Sequence, residues 1–402
     1  MRYGNFVDRD QNLIDEVMAV YMPKGKSYTG ADQIEIFCHG GRKIVELIQS
    51  AIITSGARAA EPGEFTKMAF LAGRIDLAKA ESVAEIISAN TESSYQAARE
   101  HLSGAYTEHI GMLRDRLVDL MAEVEASIDY PEEEIEPEEK EKLLANTNLL
   151  MENIATLIDS YKGGRIITEG FKIAIAGRPN AGKSSLFNQF LRQERALVTP
   201  TAGTTRDYLS EWIDIEGYKV NIIDTAGLRD KGGAIEKVGI ESAKNIIKSA
   251  HLVLWLVDIS KKGWKTTVVK DLESLPNKHK IIIYNKIDAV KTSPKTTENE
   301  IGISCKTGHG IKELLNQIHR IINDTIPDQT DGIVVTSQRH QQKLSAALRC
   351  LKSAKGKIET NESPELTAFD LNEAISAIDE ITGKIYNEEI LGRIFSKFCI
   401  GK

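Results

Sequence analysis

The chain has 402 residues, a formal net charge of −7 and four cysteines. Its length suits two or three domains, and its mildly acidic balance excludes a strongly basic nucleic-acid binder while leaving room for a local basic site. Cys38, Cys305, Cys350 and Cys399 lack C-x-x-C spacing, which argues against zinc and against a disulfide framework.

No apolar run is long enough to span a membrane and the start lacks a signal-peptide pattern, so a cytoplasmic protein is expected. Val17–Tyr21 and Ile34–Cys38 read as strands, separated by the turn-rich Pro23–Gly30. Cys38-His39-Gly40-Gly41 then leads into an apolar helix through Ile44, Leu47 and Ile48. Cys38 and His39 have no metal-ligand partner spacing, and a buried cysteine beside a glycine turn is the favoured reading. Two strands are too few for an independently stable sheet.

From Pro62-Gly63-Glu64 the pattern is helical. Ala80, Val83, Ala84 and Ile87 follow the i, i+3, i+4, i+7 rule, as does the longer series from Ile110 to Ile128. Asp129-Tyr130-Pro131 stops that helix, and the acidic run Glu132–Glu141 reads as a solvated linker. Leu150, Ile154, Leu157 and Ile158 mark a further helix, which Gly163-Gly164 is expected to end as a hinge.

The strand-like Phe171–Ala176 is followed by Gly177-Arg178-Pro179-Asn180-Ala181-Gly182-Lys183-Ser184 and a helical Ser185-Leu186-Phe187-Asn188. Strand, G-x-x-x-x-G-K-S and helix together form a phosphate-binding P-loop. Lys183 is placed to reach the outer phosphates and Ser184 to ligate Mg²⁺. The Thr-rich loop Thr199–Asp207 can place a hydroxyl on Mg²⁺ and close over a γ-phosphate. Strand-like Leu209–Ile215 and Tyr218–Ile223 end in Asp224-Thr225-Ala226-Gly227, where the carboxylate can hold the Mg²⁺ water shell and Gly227 admits the γ-phosphate.

Asn285-Lys286-Ile287-Asp288 follows the apolar strand Ile281–Tyr284. Asp288 can accept from guanine's N1–H and exocyclic amine, a pair that adenine does not offer. Ser304-Cys305-Lys306 completes the base pocket through backbone amides. Five such turns in this order define a GTPase domain, about 168–328. It departs from the Ras-like pattern at Leu228, where a water-orienting glutamine would stand. Glu236 is the leading candidate for that task, with an exposed helix-start glutamate as the alternative. Arg206 and Arg229 could serve the γ-phosphate or pair with a local acid. Asn180, with carbonyls of the 199–204 loop, could coordinate a monovalent cation in the place of an arginine finger.

Beyond Pro327, Leu344, Ala347, Leu348, Leu351 and Ala354 predict another amphipathic helix. Between Gly332 and Ile358 there is no acidic residue, against Arg339, Lys343, Arg349, Lys352, Lys355 and Lys357. This is the best local candidate for phosphate-backbone contact, beside the plainer reading of a solvated cationic face. Helices follow through Glu365–Ile381 and Tyr386–Phe398. Cys399 could be a nucleophile or redox group, or a buried helix end.

The fold class expected is multidomain α/β plus all-α. A Ras-like P-loop GTPase domain is inserted in a discontinuous helical domain, preceded by a small α+β domain. The divisions fall at 1–65, 66–167, 168–328 and 329–402.

The chain closely resembles the bacterial tRNA uridine-5-carboxymethylaminomethyl modification GTPases, the MnmE (TrmE) family. The resemblance rests on Ser27-Tyr28-Thr29-Gly30, Cys38-His39-Gly40-Gly41, Pro62-Gly63-Glu64-Phe65 and Gly73-Arg74-Ile75-Asp76-Leu77. It continues through the GTPase motifs to Cys399-Ile400-Gly401-Lys402. The GTPase motifs alone would also fit ribosome-assembly GTPases.

The resemblance implies a folate-binding N-terminal domain that forms a homodimer, and GTPase domains whose association potassium promotes. It implies GTP contacts at Asn180, Ala181, Gly182, Lys183, Ser184, Ser185, Thr199, Thr204, Thr205, Asp224, Thr225, Ala226 and Gly227. Base contacts would come from Asn285, Lys286, Asp288, Ser304, Cys305 and Lys306. K⁺ would be held by Asn180, Thr199, Thr201 and Thr204, and Mg²⁺ by Ser184 and Thr205. Glu236 would orient water, and Glu35, Arg74 and Lys402 would contact 5-formyl-tetrahydrofolate. Cys399 would act in the modification step. The implied partners are an FAD-dependent MnmG-type protein, in a heterotetramer, and tRNA. The family pattern opens with a further β-rich stretch carrying a folate-binding arginine. Here the chain starts at Met1-Arg2-Tyr3-Gly4, so a short N-terminal sheet is expected.

Overall fold

The computed structural model describes residues 1–129, 137–194, 197, 209–225, 243–273, 279–292, 294, 296–326 and 333–401. They form two compact units. The first comprises Met1–Ile87, Ala98–Ala155 and Gln342–Lys402, the second Ser88–Ala97 and Thr156–Gln341.

The first unit opens with three antiparallel strands, β1 (Arg2–Val7), β2 (Leu13–Met22) and β3 (Gln33–Phe37), in the order β1-β2-β3. β2 and β3 are the two strands expected from the sequence, and β1 is an additional one. Gly4 and Asn5 interrupt its alternation, and pairing with β2 supplies what propensity lacks. Three strands with a helix against them make the sheet viable. Its register sets Tyr3 opposite Met18 and Met18 opposite Phe37. All three are exposed and form an open apolar row across one face, which Glu16 and Glu35 share.

Helices complete this unit. Ala105–Asp129 and Pro364–Thr382 pack together lengthwise, burying Leu113, Leu117, Leu120 and Val124 on one and Leu371, Ala374, Ile378 and Ile381 on the other. Each fully buried Leu or Ile contributes about 1.5–3 kcal/mol of transfer free energy. Arg114 Nε donates to Asp379 Oδ1 at 2.6 Å across the same contact. A smaller core joins Phe70, Leu77 and Ala80 to Leu391, Ile394, Phe395 and Phe398 near the C-terminus.

The second unit holds a six-stranded sheet in the order β5-β6-β4-β7-β8-β9. Its strands are β4 (Phe171–Gly177), β5 (Leu209–Ile215), β6 (Tyr218–Asp224), β7 (Leu252–Asp258), β8 (His279–Asn285) and β9 (Glu300–Ile303). β5 is antiparallel to β6 and the others are parallel. The parallel strands β4, β7 and β8 are nearly continuous apolar runs because both faces of such a sheet are covered. β7 is a strand beyond those expected, marked in the sequence only by the apolar run Leu252–Val257.

Gly163-Gly164 does not end a helix. The helix Pro137–Glu169 runs through it, and begins within the acidic stretch read as linker. A Cβ on Gly164 would stand 2.1 Å from the Val335 carbonyl oxygen. The glycine serves close approach of two backbones inside the unit, at the cost of helix propensity.

Candidate nucleotide site

The sheet places the sequence motifs together. β4 is the strand from which the order runs outward in both directions, so the crevice beyond its C-terminal end is the expected ligand position. Gly177 closes β4, Asp224 closes β6, Asp258 closes β7, Asn285 closes β8, and Ser304 follows β9. Every one of these residues lies at the same edge of the sheet.

The P-loop turns from β4 into the helix Lys183–Gln193 with Gly182 as its N-cap. Lys183 is buried, and its ammonium donates to the carbonyls of Gly177 at 3.1 Å and Arg178 at 3.0 Å. The cation therefore lies across the mouth of the loop, within reach of the volume that the loop amides enclose. Ser184 Oγ donates to Asp224 Oδ2 at 2.8 Å, and Asp224 is fully buried. A hydroxyl beside a buried carboxylate is the hard oxygen set that Mg²⁺ takes in phosphate sites. Thr225 Oγ1 donates to the Ile175 carbonyl, tying the end of β6 to β4. Ser185 is exposed on the helix's first turn. Arg178 is turned outward into a bidentate pair with Asp271, with Nη2 at 2.8 Å from Oδ1 and Nε at 3.0 Å from Oδ2.

The side expected to read the base is built around Asn285, which is 2% exposed. Its Nδ2 donates to the Ala181 carbonyl at 2.8 Å, and its Oδ1 accepts from the Lys286 and Cys305 amides at 2.8 and 3.2 Å. Gly182 is required here, since a Cβ on it would meet Asn285 Nδ2 at 2.2 Å. Asp288 is exposed and its Oδ1 accepts from Ser304 Oγ at 2.6 Å, so the second carboxylate oxygen is the one open to a base. The Cys305 amide, read from sequence as a base contact, is taken by Asn285. Burial pushes the Cys305 thiol up to about 11, which keeps it neutral. Lys306 is exposed beyond it.

Asp258 was not singled out from sequence, and an apolar run ending in Asp was its only signal. Its Oδ2 accepts from Lys286 Nζ at 2.7 Å, and its Oδ1 from the Ser260 hydroxyl at 2.5 Å and amide at 3.1 Å. Burial raises the carboxyl, but the Lys286 ammonium and the Ser260 donors outweigh it and leave the net shift downward.

Two family models match the chain. The family described as GTP-binding protein TrmE N-terminus matches residues 1–74, and that described as MnmE helical domain matches 77–399. The tRNA modification GTPase MnmE of Carboxydothermus hydrogenoformans is 41% identical over 415 residues, covering 100% of this chain and 89% of that protein. That of Aquifex aeolicus is 39% identical over 404 residues, covering 100% and 90%. The chain belongs to the MnmE family. The G domain of the T. maritima FeoB iron transporter is also similar, 25% identical over 38% of this chain and 98% of that one, with a TM-score of 0.29.

The residues that MnmE membership brings to notice are unevenly placed. Thr199, Thr201, Thr204, Thr205, Ala226, Gly227, Glu236 and Lys402, like Arg206, Leu228 and Arg229, lie outside the described residues. Asn180 is exposed in the P-loop with φ 62°, and its carbonyl accepts from Lys286 Nζ at 3.2 Å. In the first unit, Glu35 is exposed on β3 and accepts from Gln33 Nε2 at 3.0 Å, while Arg74 Nη1 donates to the Gly25 carbonyl at 2.8 Å. Cys399 is exposed, so the buried-helix-end alternative falls. Its carbonyl accepts from the Gly63 amide at 3.5 Å, and Ile400 bridges Pro62.

Two further expectations change. Cys38 is half-buried rather than buried, and His39 Nδ1 lies 2.8 Å from Asp15 Oδ1. In the cationic helix Gln338–Glu359, Lys343 pairs with Glu380, Lys355 with Glu359 at 3.6 Å and Lys357 with Asp370 at 2.7 Å. Two of the six cations, Lys343 and Lys357, are thus answered by carboxylates of the helix Pro364–Thr382, while Arg349 and Lys352 are exposed outside these pairs. No described helix is long and apolar enough to cross a membrane.

Proposed function

We propose that this chain is a potassium-activated GTPase that takes part in carboxymethylaminomethyl modification of the wobble uridine of tRNA. In this reading it is a cytoplasmic homodimer that works with an FAD-dependent MnmG-type protein in a heterotetramer, and hydrolysis drives association and rearrangement of the GTPase domains. The domain divisions at 65, 167 and 328 belong to the same reading. The observation that carries it is the convergence of Lys183, Ser184, Asp224, Asn285 and Asp288 at one edge of a parallel sheet, in a chain of the MnmE family.

Each side chain has a defined task. The loop amides and Lys183 bind the outer phosphates, and Ser184 with Thr205 would hold Mg²⁺, which supplies positive charge at the phosphate oxygens. Asp224 accepts from Ser184 and orients it. Asp288 selects guanine by the penalty on leaving a carboxylate unpaired against the wrong base. Asn180 offers a hard oxygen from an exposed loop position, which suits K⁺ together with Thr199, Thr201 and Thr204. Glu236 would orient the attacking water where Leu228 provides no polar group.

The open face of the N-terminal sheet supports the homodimer. Tyr3, Met18 and Phe37 form a row across three strands, and Glu35 shares their side as the residue two before Phe37. A folate bound by Glu35, Arg74 and Lys402 would lie along that face or its rim. Cys399, exposed at the end of the tail, would act in the modification chemistry.

The experiment is nucleoside analysis of tRNA from cells lacking the gene, complemented with the wild-type chain or with Lys183→Ala. Wild type is expected to restore the modified wobble uridine and Lys183→Ala to leave it unmodified. Restoration by both would separate the GTPase from the modification and defeat the proposal.

A further inference from the structure

We propose that Asp258 is a positioning residue of the guanine site, holding Lys286 across the P-loop so that nucleotide is retained. The inference rests on reading this edge of the sheet as the GTP site.

The register of β7 and β8 sets Asp258 directly beside Asn285, one residue before Lys286. Lys286 has φ 69°, a left-handed conformation that a side-chain-bearing residue adopts only when its surroundings hold it. Its ammonium has two partners that do so, Asp258 Oδ2 at 2.7 Å and the Asn180 carbonyl at 3.2 Å. Asp258 is itself fixed, 9% exposed, with its other oxygen held by Ser260. The chain of contacts therefore runs from Ser260 through Asp258 and Lys286 to Asn180, from the end of one strand to the phosphate loop. Without the carboxylate, Lys286 keeps one carbonyl partner on a half-exposed, flexible stem, and binding nucleotide must then order that stem.

The test uses the full-length chain and a fluorescent GDP analogue in Mg²⁺ buffer. Asp258→Asn, which keeps shape and removes charge, is expected to weaken GDP binding roughly ten-fold, mainly through faster release. The KM for GTP is expected to rise while the rate at saturating GTP stays within about two-fold. Because Asp258 acts through Lys286, its effect and that of Lys286→Met are expected to be non-additive in a double-mutant cycle. Ser260→Ala, a milder change, is expected to raise the release rate by roughly two-fold or more, so the idea stays testable if Asp258→Asn does not fold. Wild-type binding with no change in Asp258→Asn, or additive effects with Lys286→Met, or an unchanged release rate in Ser260→Ala, would overturn the role of Asp258. Absence of GDP binding by wild type would instead overturn the underlying site.

Discussion

Asn285 Nδ2 donates to the carbonyl of Ala181 at 2.8 Å, joining the base-reading turn to the phosphate loop through one buried side chain. The same side chain accepts from the amides of Lys286 and Cys305, so three turns share one amide group. Asn285→Ala strands those partners at once. A loss of about 1–3 kcal/mol is expected in urea unfolding, from buried groups left unpaired, together with weaker GDP binding. Stability within ~0.5 kcal/mol of wild type, the range of an ordinary surface change, would contradict this.

In the proposed function Asp288 carries the choice of base. Asp288→Asn replaces an acceptor by a donor and should lower kcat/KM for GTP by roughly hundred-fold or more. Turnover of xanthosine triphosphate, whose 2-oxo group accepts where guanine donates, should rise. Steady-state rates with both nucleotides check the exchange, and an unaltered preference for GTP would place base recognition elsewhere.

Gly164 reverses the usual rule for helices. Gly to Ala in a helix interior ordinarily gains roughly 0.5–1 kcal/mol, but here the new Cβ would press on the Val335 carbonyl at 2.1 Å. Gly164→Ala is expected to destabilise by about 1–3 kcal/mol, read as a lowered midpoint in denaturant. A raised midpoint would mean the two backbones separate without cost.

The cysteines should label in a defined order. Cys399 is exposed, whereas burial pushes the Cys305 thiol up to about 11. Alkylation proceeds through the thiolate, so at pH 8 iodoacetamide should modify Cys399 well before Cys305. Cys305 should react appreciably only as pH rises toward 11. Peptide mapping by mass spectrometry reads both, and early loss of Cys305 would show that its pocket opens.

Much of the second unit was legible because its motifs are local: Asp224 and Asn285 sit at strand ends that the apolar runs mark, and Lys183 opens the helix after the glycine loop. What was missed depends on pairing across the sheet or between helices. β1 is specified by its partner more than by Gly4 and Asn5, and Asp258 gains meaning only from the register that brings it to Lys286. Gly163-Gly164 looked like a hinge because a glycine pair cannot announce the carbonyl it makes room for. Lys343 and Lys357 looked unanswered because their carboxylates, Glu380 and Asp370, stand on the next helix.

The proposed role of Asn180 is to bring a monovalent cation to the P-loop. Its most direct test is the rate of GTP hydrolysis by the full-length chain in KCl and in NaCl at matched ionic strength. A rate roughly ten-fold or more higher in KCl is expected, the scale of one added charge at a developing phosphate anion, with loss of that advantage in Asn180→Ala. Equal rates in the two salts would contradict it.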